Sequence, residues 1–165
     1  ILDHRIPCTG FKFSQKKRPR KIIKQKVEEL EIPVEQIPLI KKGDPFIDKR
    51  GRIHTSVGLT TESGEPKSYA YCSDTACSWT YLETIKNVDL LYHEATFMSD
   101  MLNRATETYH TTASQAGELA LKAGVKQLLI GHFSARYREL GPLLEECKAI
   151  FENTFLALEG QIFEV

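Results

Sequence analysis

The sequence predicts an α/β layered domain, because short apolar runs alternate with helical patterns along most of the chain. Residues 68–72, 88–92 and 125–130 are apolar runs with the length of buried strands. Helical patterns lie between and after these runs, and such alternation is typical of helices packed on a sheet. The length of 165 residues and the mass of 18.8 kDa suit one domain of ordinary size.

The first third of the chain has a different composition and is interpreted as an insertion. Residues 5–13 are expected to form a strand that is broken by Pro7 and Gly10. Residues 14–66 are weakly hydrophobic, so we expect them to form an inserted basic arm or hairpin region outside the core of a single domain spanning 1–165. Eight basic side chains and no acidic one lie between residues 12 and 26, across the start of this region: Lys12, Lys16, Lys17, Arg18, Arg20, Lys21, Lys24 and Lys26.

Local signals predict short elements within that insertion. A helix is expected from near Pro19 to about Glu31, because proline suits a first helical turn and the apolar residues that follow recur at helical spacing. Prolines and a glycine between residues 33 and 45 then predict turns or a second small helix. Residues 48–52 are expected to form a hairpin turn.

Beyond residue 67 each element has its own signal. One helix is expected at 79–86 after the first apolar strand, and two more at 98–107 and 112–123 after the second. Thr112 and Gln115 have the spacing of a capping box, and Gly124 is placed to end that helix. A helix at 142–151 and two short strands within 154–164 complete the prediction.

Composition and charge exclude several classes of protein. The chain has 22 basic and 22 acidic residues, so it is not a globally basic nucleic-acid binder, although a local basic patch remains compatible with this balance. It has no apolar run long enough to span a membrane. Four cysteines without a paired spacing favour idle thiols in a reducing cytoplasm over disulfides: Cys8, Cys72, Cys77 and Cys147.

Polar residues follow the predicted buried strands, where catalytic groups of α/β sheets gather. Asp74 follows the first strand, His93 and Glu94 the second, and His132 the third. Imidazoles with a carboxylate suit a divalent metal such as zinc, and His4 and His110 add two further imidazoles. Each residue also has a plain structural explanation, such as a helix cap, a surface pair or a half-buried histidine. Spacing alone therefore indicates a metal hydrolase as one possibility and no more.

Five segments of the chain carry recognisable motifs, at residues 3–11, 71–75, 92–96, 109–112 and 131–137. The most specific motif is the H-E-A-T sequence of His93-Glu94-Ala95-Thr96. Taken together and in order, the five segments resemble one family, tRNase Z (ribonuclease Z) of the metallo-β-lactamase superfamily. The resemblance implies the C-terminal half of a metallo-β-lactamase fold, with four αββα layers and the inserted basic arm.

The resemblance also implies a function and a set of site residues. It implies a zinc-dependent endoribonuclease that removes the 3′ trailer from precursor tRNA, with two Zn²⁺ ions in a complete active site. Each implied role is carried over by residue: metal ligands His4, Asp74 and His132; acid His110 with its orienting partner Glu94; phosphate-contacting Ser134 and Arg136; tRNA-binding Lys16, Lys17, Arg18 and Arg20. His93 is expected either to support these groups or to pack structurally.

Two departures from the family pattern shape further expectations. The family's H-x-H-x-D-H cluster is absent, and the chain opens on the apolar Ile1 and Leu2 without a methionine, which indicates a fragment. Such a fragment is expected to be inactive alone and to form a homodimer or pair with the missing N-terminal part. The Gly-Pro motif of the family's arm is also missing, and residues 33–38 stand in its place, so tRNA binding by the arm is the weaker expectation.

Two alternatives to this function stay open at the level of sequence. The first is another phosphodiesterase with the metallo-β-lactamase fold, which the H-E-A-T segment and the basic arm disfavour. The second is a non-catalytic RNA-binding fragment that retains the motifs as relics. The retained ligands and both catalytic candidates favour the nuclease over this second alternative.

Overall fold

The computed structural model describes all of residues 1–165 and divides them into two compact units. The first unit comprises Ile1–Ser14 and Lys67–Val165, and the second comprises Gln15–Pro66. The strands are β1 (Phe11–Ser14), β2 (Lys21–Ile22), β3 (Phe46–Ile47), β4 (Ile53–His54), β5 (Thr60–Thr61), β6 (Ser68–Cys72), β7 (Leu90–Glu94), β8 (Gln127–Gly131) and β9 (Thr154–Leu156). The helices are α1 (Lys24–Glu29), α2 (Ile37–Lys42), α3 (Ser56–Leu59), α4 (Leu82–Ile85), α5 (Leu102–Thr108), α6 (Ala113–Ala123) and α7 (Gly141–Lys148), with 3₁₀ turns at Val34–Gln36 and Ser99–Met101.

The first unit is built on a five-stranded mixed sheet with the order β1-β6-β7-β8-β9. Strand β1 is antiparallel to β6, and the other neighbouring pairs are parallel. The parallel pairs are joined by helical crossovers, which is the usual connection between parallel strands. The carboxyl ends of β6, β7 and β8 therefore lie together at one edge of the sheet.

One face of this sheet forms the main hydrophobic core. Ala70, Leu91 and Leu128 are aligned across β6, β7 and β8 and are fully or almost fully buried. They belong to the same buried cluster as Leu119 of α6 and Leu143 of α7. Full burial of such a side chain contributes about 1.5–3 kcal/mol to stability, so this face holds the helices on the sheet.

The opposite face of the sheet is aromatic. Tyr71 of β6 is paired in register with Phe11 of β1 and Tyr92 of β7, and the two tyrosine rings stack with centroids 4.8 Å apart. Phe11 and Phe13 stay more than half exposed at the edge of this face. The sheet thus has one face covered by helices and one face with accessible aromatic rings.

The second unit has its own small core and two short two-stranded sheets, β2 with β5 and β3 with β4. Its buried residues are Ile32, Ile40, Phe46 and Leu59. The hairpin between β3 and β4 turns at 48–52, as the sequence predicts, since the Asp48 carboxylate accepts hydrogen bonds from the backbone N–H groups of Arg50 and Arg52. A side chain that binds its own turn in this way stabilises a tight reversal.

Several expected elements differ in extent from those observed. The helix expected from Pro19 begins only at Lys24, because Lys21–Ile22 pairs with Thr60–Thr61 as a strand. The strand expected at 5–13 is shifted to Phe11–Ser14, and the helix expected at 79–86 is reduced to Leu82–Ile85. One strand, Thr154–Leu156, replaces the two expected near the C-terminal end, because only these residues pair with β8.

The predicted start and end of one helix are confirmed. Helix α6 begins with the predicted capping box of Thr112 and Gln115, and it ends at Gly124, which has a left-handed φ of 63°. The four cysteines are free thiols, and burial raises the pKa of Cys77 and Cys147 to about 11. None of the helices is both long enough and apolar enough to pass through a lipid bilayer.

Candidate metal centre and its hydrogen-bond network

The candidate site lies at the carboxyl edge of the first unit's sheet. Asp74 follows β6, Glu94 is the last residue of β7, and His132 follows β8 directly. His110 lies between α5 and α6. His4 reaches the same edge because the backbone of Asp3 is bound to the segment after β6, through Asp3 N–H to Thr75 Oγ1 at 3.0 Å and Ala76 N–H to Asp3 O at 2.7 Å.

The structure brings the three sequence-predicted ligands together. Donor atoms of His4, Asp74 and His110 lie within 4.8 Å of one another. His132 Nε2 is 3.5 Å from Asp74 Oδ2, and the His110 ring centroid is 5.2 Å from the centroids of both His4 and His132. Imidazole nitrogens with a shared carboxylate form the donor set that zinc prefers. The residues present therefore fit a divalent metal.

Two of the imidazoles are held through Nδ1. His4 Nδ1 lies 3.0 Å from the backbone carbonyl of Tyr109, and His110 Nδ1 lies 2.7 Å from Glu94 Oε1. Because a carbonyl and an ionised carboxylate only accept hydrogen bonds, Nδ1 carries the proton in both rings. Nε2 of each ring is then the nitrogen left for a metal or a substrate, an arrangement typical of metal-binding histidines.

Glu94 is the buried hub of the network. Its side chain is fully buried and accepts five hydrogen bonds: Thr75 N–H and His110 Nδ1–H on Oε1; Thr96 N–H, Thr96 O–H and Thr111 N–H on Oε2. Burial acts to raise the pKa of this carboxyl, but the hydrogen bonds from His110, Thr75 and Thr96 outweigh it and hold the pKa below its ordinary value. Glu94 is thus an ionised anchor.

His110 is affected by Glu94 in the complementary direction. The hydrogen bond to the Glu94 carboxylate raises the pKa of His110, although partial burial opposes this effect. The edge of the ring also contacts Phe97, with centroids 6.1 Å apart and planes at 71°. His110 therefore has a fixed orientation and a stabilised protonated form.

His93 does not face the other imidazoles. It is fully buried, its Nδ1–H donates to the carbonyl of Glu94 at 2.7 Å, and its Nε2 accepts from the Tyr81 hydroxyl at 2.8 Å. Burial lowers its pKa, so the ring stays neutral. Of the two expectations for His93, these contacts favour structural packing.

Arg136 and Ser134 lie beside the site in the segment after β8. Arg136 Nε donates to Ser134 Oγ at 3.1 Å, and the guanidinium carbon lies 5.1 Å from the centre of the Phe97 ring. Because Phe97 also contacts His110, the aromatic ring connects the guanidinium to the imidazole. The Arg136 side chain is exposed, and its Nη1 lies 3.9 Å from Met101 Sδ.

In the second unit, three of the sequence-predicted basic residues lie beside two that the sequence analysis missed. Lys17, Arg18 and Arg20 line a cleft together with Lys41 and Lys42, from the last turn of α2. Glu62 lines the same cleft and is bound to Arg20, which also donates to Thr60 Oγ1 at 2.6 Å and to the Thr60 carbonyl at 3.4 Å. Lys16 is exposed. Adjacent lysines at 41–42 were the available signal, but their proximity to residues 17–18 depends on the fold.

Two further features of the site escaped the sequence analysis. Tyr109 and His132 are non-glycine residues with left-handed φ values of 60° and 58°, an unusual backbone conformation that concentrates at functional sites. Thr96 places its hydroxyl against Glu94, His110 and His132. The signal for Thr96 was its position as the last residue of the H-E-A-T segment.

The family of the chain follows from comparison with known proteins. A family model described as beta-lactamase superfamily domain matches residues 9–133. Because this match covers most of the sequence, the chain belongs to the beta-lactamase superfamily. The metallo-beta-lactamase fold protein YhfI from Bacillus subtilis is 26% identical, with a TM-score of 0.55 over 59% of this chain and 40% of that chain. The predicted fold class is thereby confirmed.

Within that superfamily the chain is similar to ribonuclease Z. A ribonuclease Z of Bacteroides fragilis is 50% identical over 96% of this chain and 52% of that protein, and one of Bacteroides thetaiotaomicron is 48% identical over 99% and 52%. The chain spans about half the length of these curated relatives. Human tRNase Z, short form, is 22% identical with a TM-score of 0.50 over 64% of this chain and 36% of that chain, which supports the fold alone.

Proposed function

We propose that this chain forms part of a zinc-dependent endoribonuclease that removes the 3′ trailer from precursor tRNA. The observation that carries the proposal is the convergence of His4, Asp74, His110 and His132 around a buried carboxylate, in a chain that is about half identical to proteins named ribonuclease Z. The substrate is proposed from those relatives, and the chemistry from the geometry.

His4, Asp74 and His132 would hold the metal. Asp74 suits a position between two ions, because a carboxylate has two oxygens and one negative charge to share. Two zinc ions would polarise a phosphate oxygen and lower the pKa of an attacking water. Three side chains do not complete two coordination shells, so we place the remaining ligands in the part of the relatives' length that this chain does not span.

His110 supplies the proton that the leaving 3′-oxygen needs. Its Nδ1–H is engaged by Glu94, which stabilises the protonated ring, so Nε2 can hold a proton and release it to the oxygen. Arg136, oriented by Ser134 and Phe97, would bind a phosphate oxygen of the substrate. Both roles use side chains whose orientation the structure already fixes.

The basic cleft of the second unit would bind the RNA backbone. Lys17, Arg18, Lys41 and Lys42 line it together with the Arg20–Glu62 ion pair, whose charges cancel, and the four remaining cations can neutralise several phosphates. Recognition of a folded tRNA would then depend on shape and backbone charge. A cytoplasmic location and a homodimer belong to the same proposal. The free thiols and the partly exposed aromatic sheet face support these two points, respectively.

The test measures two substrates on the whole protein, namely a precursor tRNA and a small chromogenic phosphodiester. The Lys41→Ala/Lys42→Ala double variant should bind tRNA more weakly and reduce the slope of log affinity against log salt by roughly 1–2, while hydrolysis of the small diester is unchanged. The double variant Lys21→Ala/Lys24→Ala removes the same charge outside the cleft and is the matched control. Equal losses of tRNA affinity in both double variants would show that the cleft is not the RNA-binding surface. Cleavage of the diester without cleavage of tRNA would indicate a general phosphodiesterase.

The same experiment tests the role of His110. His110→Ala should slow cleavage of both substrates while the zinc content of the purified protein is retained. Because the donor atoms of His110 also lie within reach of His4 and Asp74, the competing role is that of a ligand. Loss of zinc in His110→Ala would assign that role and would exclude the proton donor.

A further inference from the structure

The Thr96 hydroxyl lies at the point where the two halves of the site meet. Its oxygen is 2.7 Å from Glu94 Oε2, 2.9 Å from His132 Nδ1, 3.0 Å from the carbonyl of His132 and 3.3 Å from His110 Nδ1. A hydroxyl has one hydrogen to donate and two lone pairs to accept with. These four neighbours therefore compete, and their chemistry decides which contacts form.

The hydroxyl hydrogen is assigned to Glu94. Oε2 is surrounded by hydrogen-bond donors, since it also accepts from the backbone N–H groups of Thr96 and Thr111. It can therefore only accept from the Thr96 hydroxyl, and this is the shortest and the only charge-assisted of the four contacts. The carbonyl of His132 cannot take the same hydrogen.

The lone pairs of the hydroxyl then face the imidazoles. His110 Nδ1 directs its hydrogen to Glu94 Oε1 at 2.7 Å, which leaves only the long 3.3 Å contact to Thr96. His132 Nδ1 has the short contact of 2.9 Å to an oxygen whose own hydrogen is already donated. A hydrogen bond forms there only if His132 Nδ1 carries the proton.

We infer that Thr96 is a positioning residue that holds His132 in the Nδ1–H tautomer, with the Nε2 lone pair directed toward Asp74 and available to a metal. Free neutral histidine in water favours the opposite, Nε2–H tautomer, so the protein must impose this choice. His132 Nε2 lies 3.5 Å from Asp74 Oδ2, which places the unprotonated nitrogen where a shared ion is required. The inference rests on the proposed metal-dependent function.

The backbone around Thr96 restrains the same turn. The carbonyl of Thr96 accepts from Ser134 N–H at 3.1 Å, and Ala95 N–H donates to Gly131 O at 2.8 Å. His132 lies between these two contacts with its left-handed φ of 58°. Thr96 thus holds the imidazole by its side chain, while the strand-end contacts hold the unusual backbone.

The consequence is that one buried carboxylate orients two rings by different routes. Glu94 Oε1 binds His110 directly, and Oε2 reaches His132 through the Thr96 hydroxyl. A change at Thr96 should therefore affect His132 and leave His110 bound to Glu94. This separation distinguishes a positioning role from general destabilisation of the site.

The experiment compares Thr96→Val, which keeps the shape and loses the hydroxyl, with Thr96→Ser, which keeps the hydroxyl. Two-bond ¹H–¹⁵N spectra of the metal-free chain, recorded after a pH series has identified the neutral form of each ring, report the tautomer of each histidine. The wild type and Thr96→Ser should show His132 protonated at Nδ1. Thr96→Val should shift His132 to Nε2–H or to a mixture, with His110 unchanged.

Zinc affinity of the whole protein, measured with zinc ion alone in a chelator competition, gives the second readout. Thr96→Val should bind zinc about 10–100-fold more weakly, and Thr96→Ser should stay close to the wild type. Thr111→Val is the matched control, because Thr111 is also buried and its hydroxyl donates to the Thr75 carbonyl at 2.7 Å without an imidazole contact. It should leave the His132 tautomer and zinc affinity unchanged.

Several results would overturn the inference. If His132 of the wild type is protonated at Nε2, the inference is wrong before any variant is measured. The inference is also wrong if Thr96→Val keeps the wild-type tautomer of His132 and the wild-type zinc affinity. Equal losses in the Ser and Val variants would point to packing. Since the tautomer is read in the metal-free chain, these outcomes are independent of which RNA the whole protein cleaves, and failure to cleave precursor tRNA would affect only the proposed function.

Discussion

Replacing Glu94 by glutamine tests the buried carboxylate at the centre of the site. The substitution keeps the size of the side chain but puts an NH₂ group where one carboxylate oxygen lies. Each oxygen faces donors: Thr75 N–H at 3.0 Å and His110 Nδ1 at 2.7 Å on Oε1; Thr96 N–H at 3.1 Å, Thr96 O–H at 2.7 Å and Thr111 N–H at 3.2 Å on Oε2. Either orientation of the amide sets donor against donor.

The two orientations of the amide differ in cost. With NH₂ toward Thr96 and Thr111, two backbone N–H groups lose their acceptor and cannot rotate away. With NH₂ toward Thr75 and His110, one backbone N–H is unpaired and His110 changes tautomer. The second costs about 1–3 kcal/mol for the unpaired N–H and roughly 1–2 kcal/mol for bonds that lose charge assistance. We expect a loss of about 2–5 kcal/mol in the free energy of unfolding.

The assay is urea unfolding of the metal-free chain, followed by circular dichroism and by the fluorescence of its single tryptophan. A loss of this size is a large share of an ordinary domain's 5–15 kcal/mol and should lower the melting temperature by roughly 10 °C. Glu146→Gln is the control, because Glu146 also accepts from backbone N–H and hydroxyl groups of Ser99 and Ser114 but is partly exposed, so water can pair with a donor that the amide displaces. If the free energy of unfolding of Glu94→Gln lies within about 1 kcal/mol of the wild-type value, the Glu94 carboxylate is not the hub of the hydrogen-bond network.

Two further predictions concern the same sheet. Asp89 accepts from Ser68 N–H at 2.7 Å and Lys126 Nζ at 2.8 Å, and the Lys126 hydrogen bond is the main reason that its pKa is lowered to about 2. This stabilisation is present above the unfolded pKa of about 3.9 and is lost as the pH falls toward 2. Asp89→Asn should therefore lower the free energy of unfolding at pH 7 by about 1–2 kcal/mol, allowing for solvent screening at the lysine. It should also reduce the loss of stability that urea titrations measure between pH 5 and 2. An unchanged loss of stability over this pH range would contradict the pairing. Gly131→Ala should lower the free energy of unfolding by about 1–3 kcal/mol, because a Cβ there would lie 2.5 Å from the Tyr92 hydroxyl oxygen. Gly141→Ala is the control, since its Cβ meets no neighbouring atom and should leave the stability measured by urea unfolding almost unchanged.

The sequence predicted the elements whose signals are local. The capping box at Thr112 and Gln115 begins α6, and the apolar runs at 68–72 and 125–130 lie in the sheet. The start of the first helix was missed because Lys21–Ile22 pairs with a strand nearly forty residues away, and such pairing overrides local propensity.

The candidate site was predictable only in part for the same reason. Histidines and carboxylates at strand ends are visible in the sequence, and the structure brings His4, Asp74 and His132 together. The role of Thr96 depends on the direction of one hydroxyl among four neighbours, which no spacing expresses. Likewise, nothing local distinguishes Arg20, bound to Glu62, from the basic residues around it.

The side chains of the site become more exposed from the buried Glu94 toward the proposed metal ligands. The Glu94 side chain is 0% exposed and that of His110 12%, whereas those of Asp74 and His132 are 35% and 43% exposed. A buried carboxylate is costly to desolvate, and five donors offset that cost, so Glu94 keeps its position whether or not a metal is bound. The more exposed side chains can then bind and release a ligand while the buried contacts keep the imidazole rings oriented. Because the orientation is established before any ion arrives, binding need not order these side chains, which favours both affinity and a single geometry.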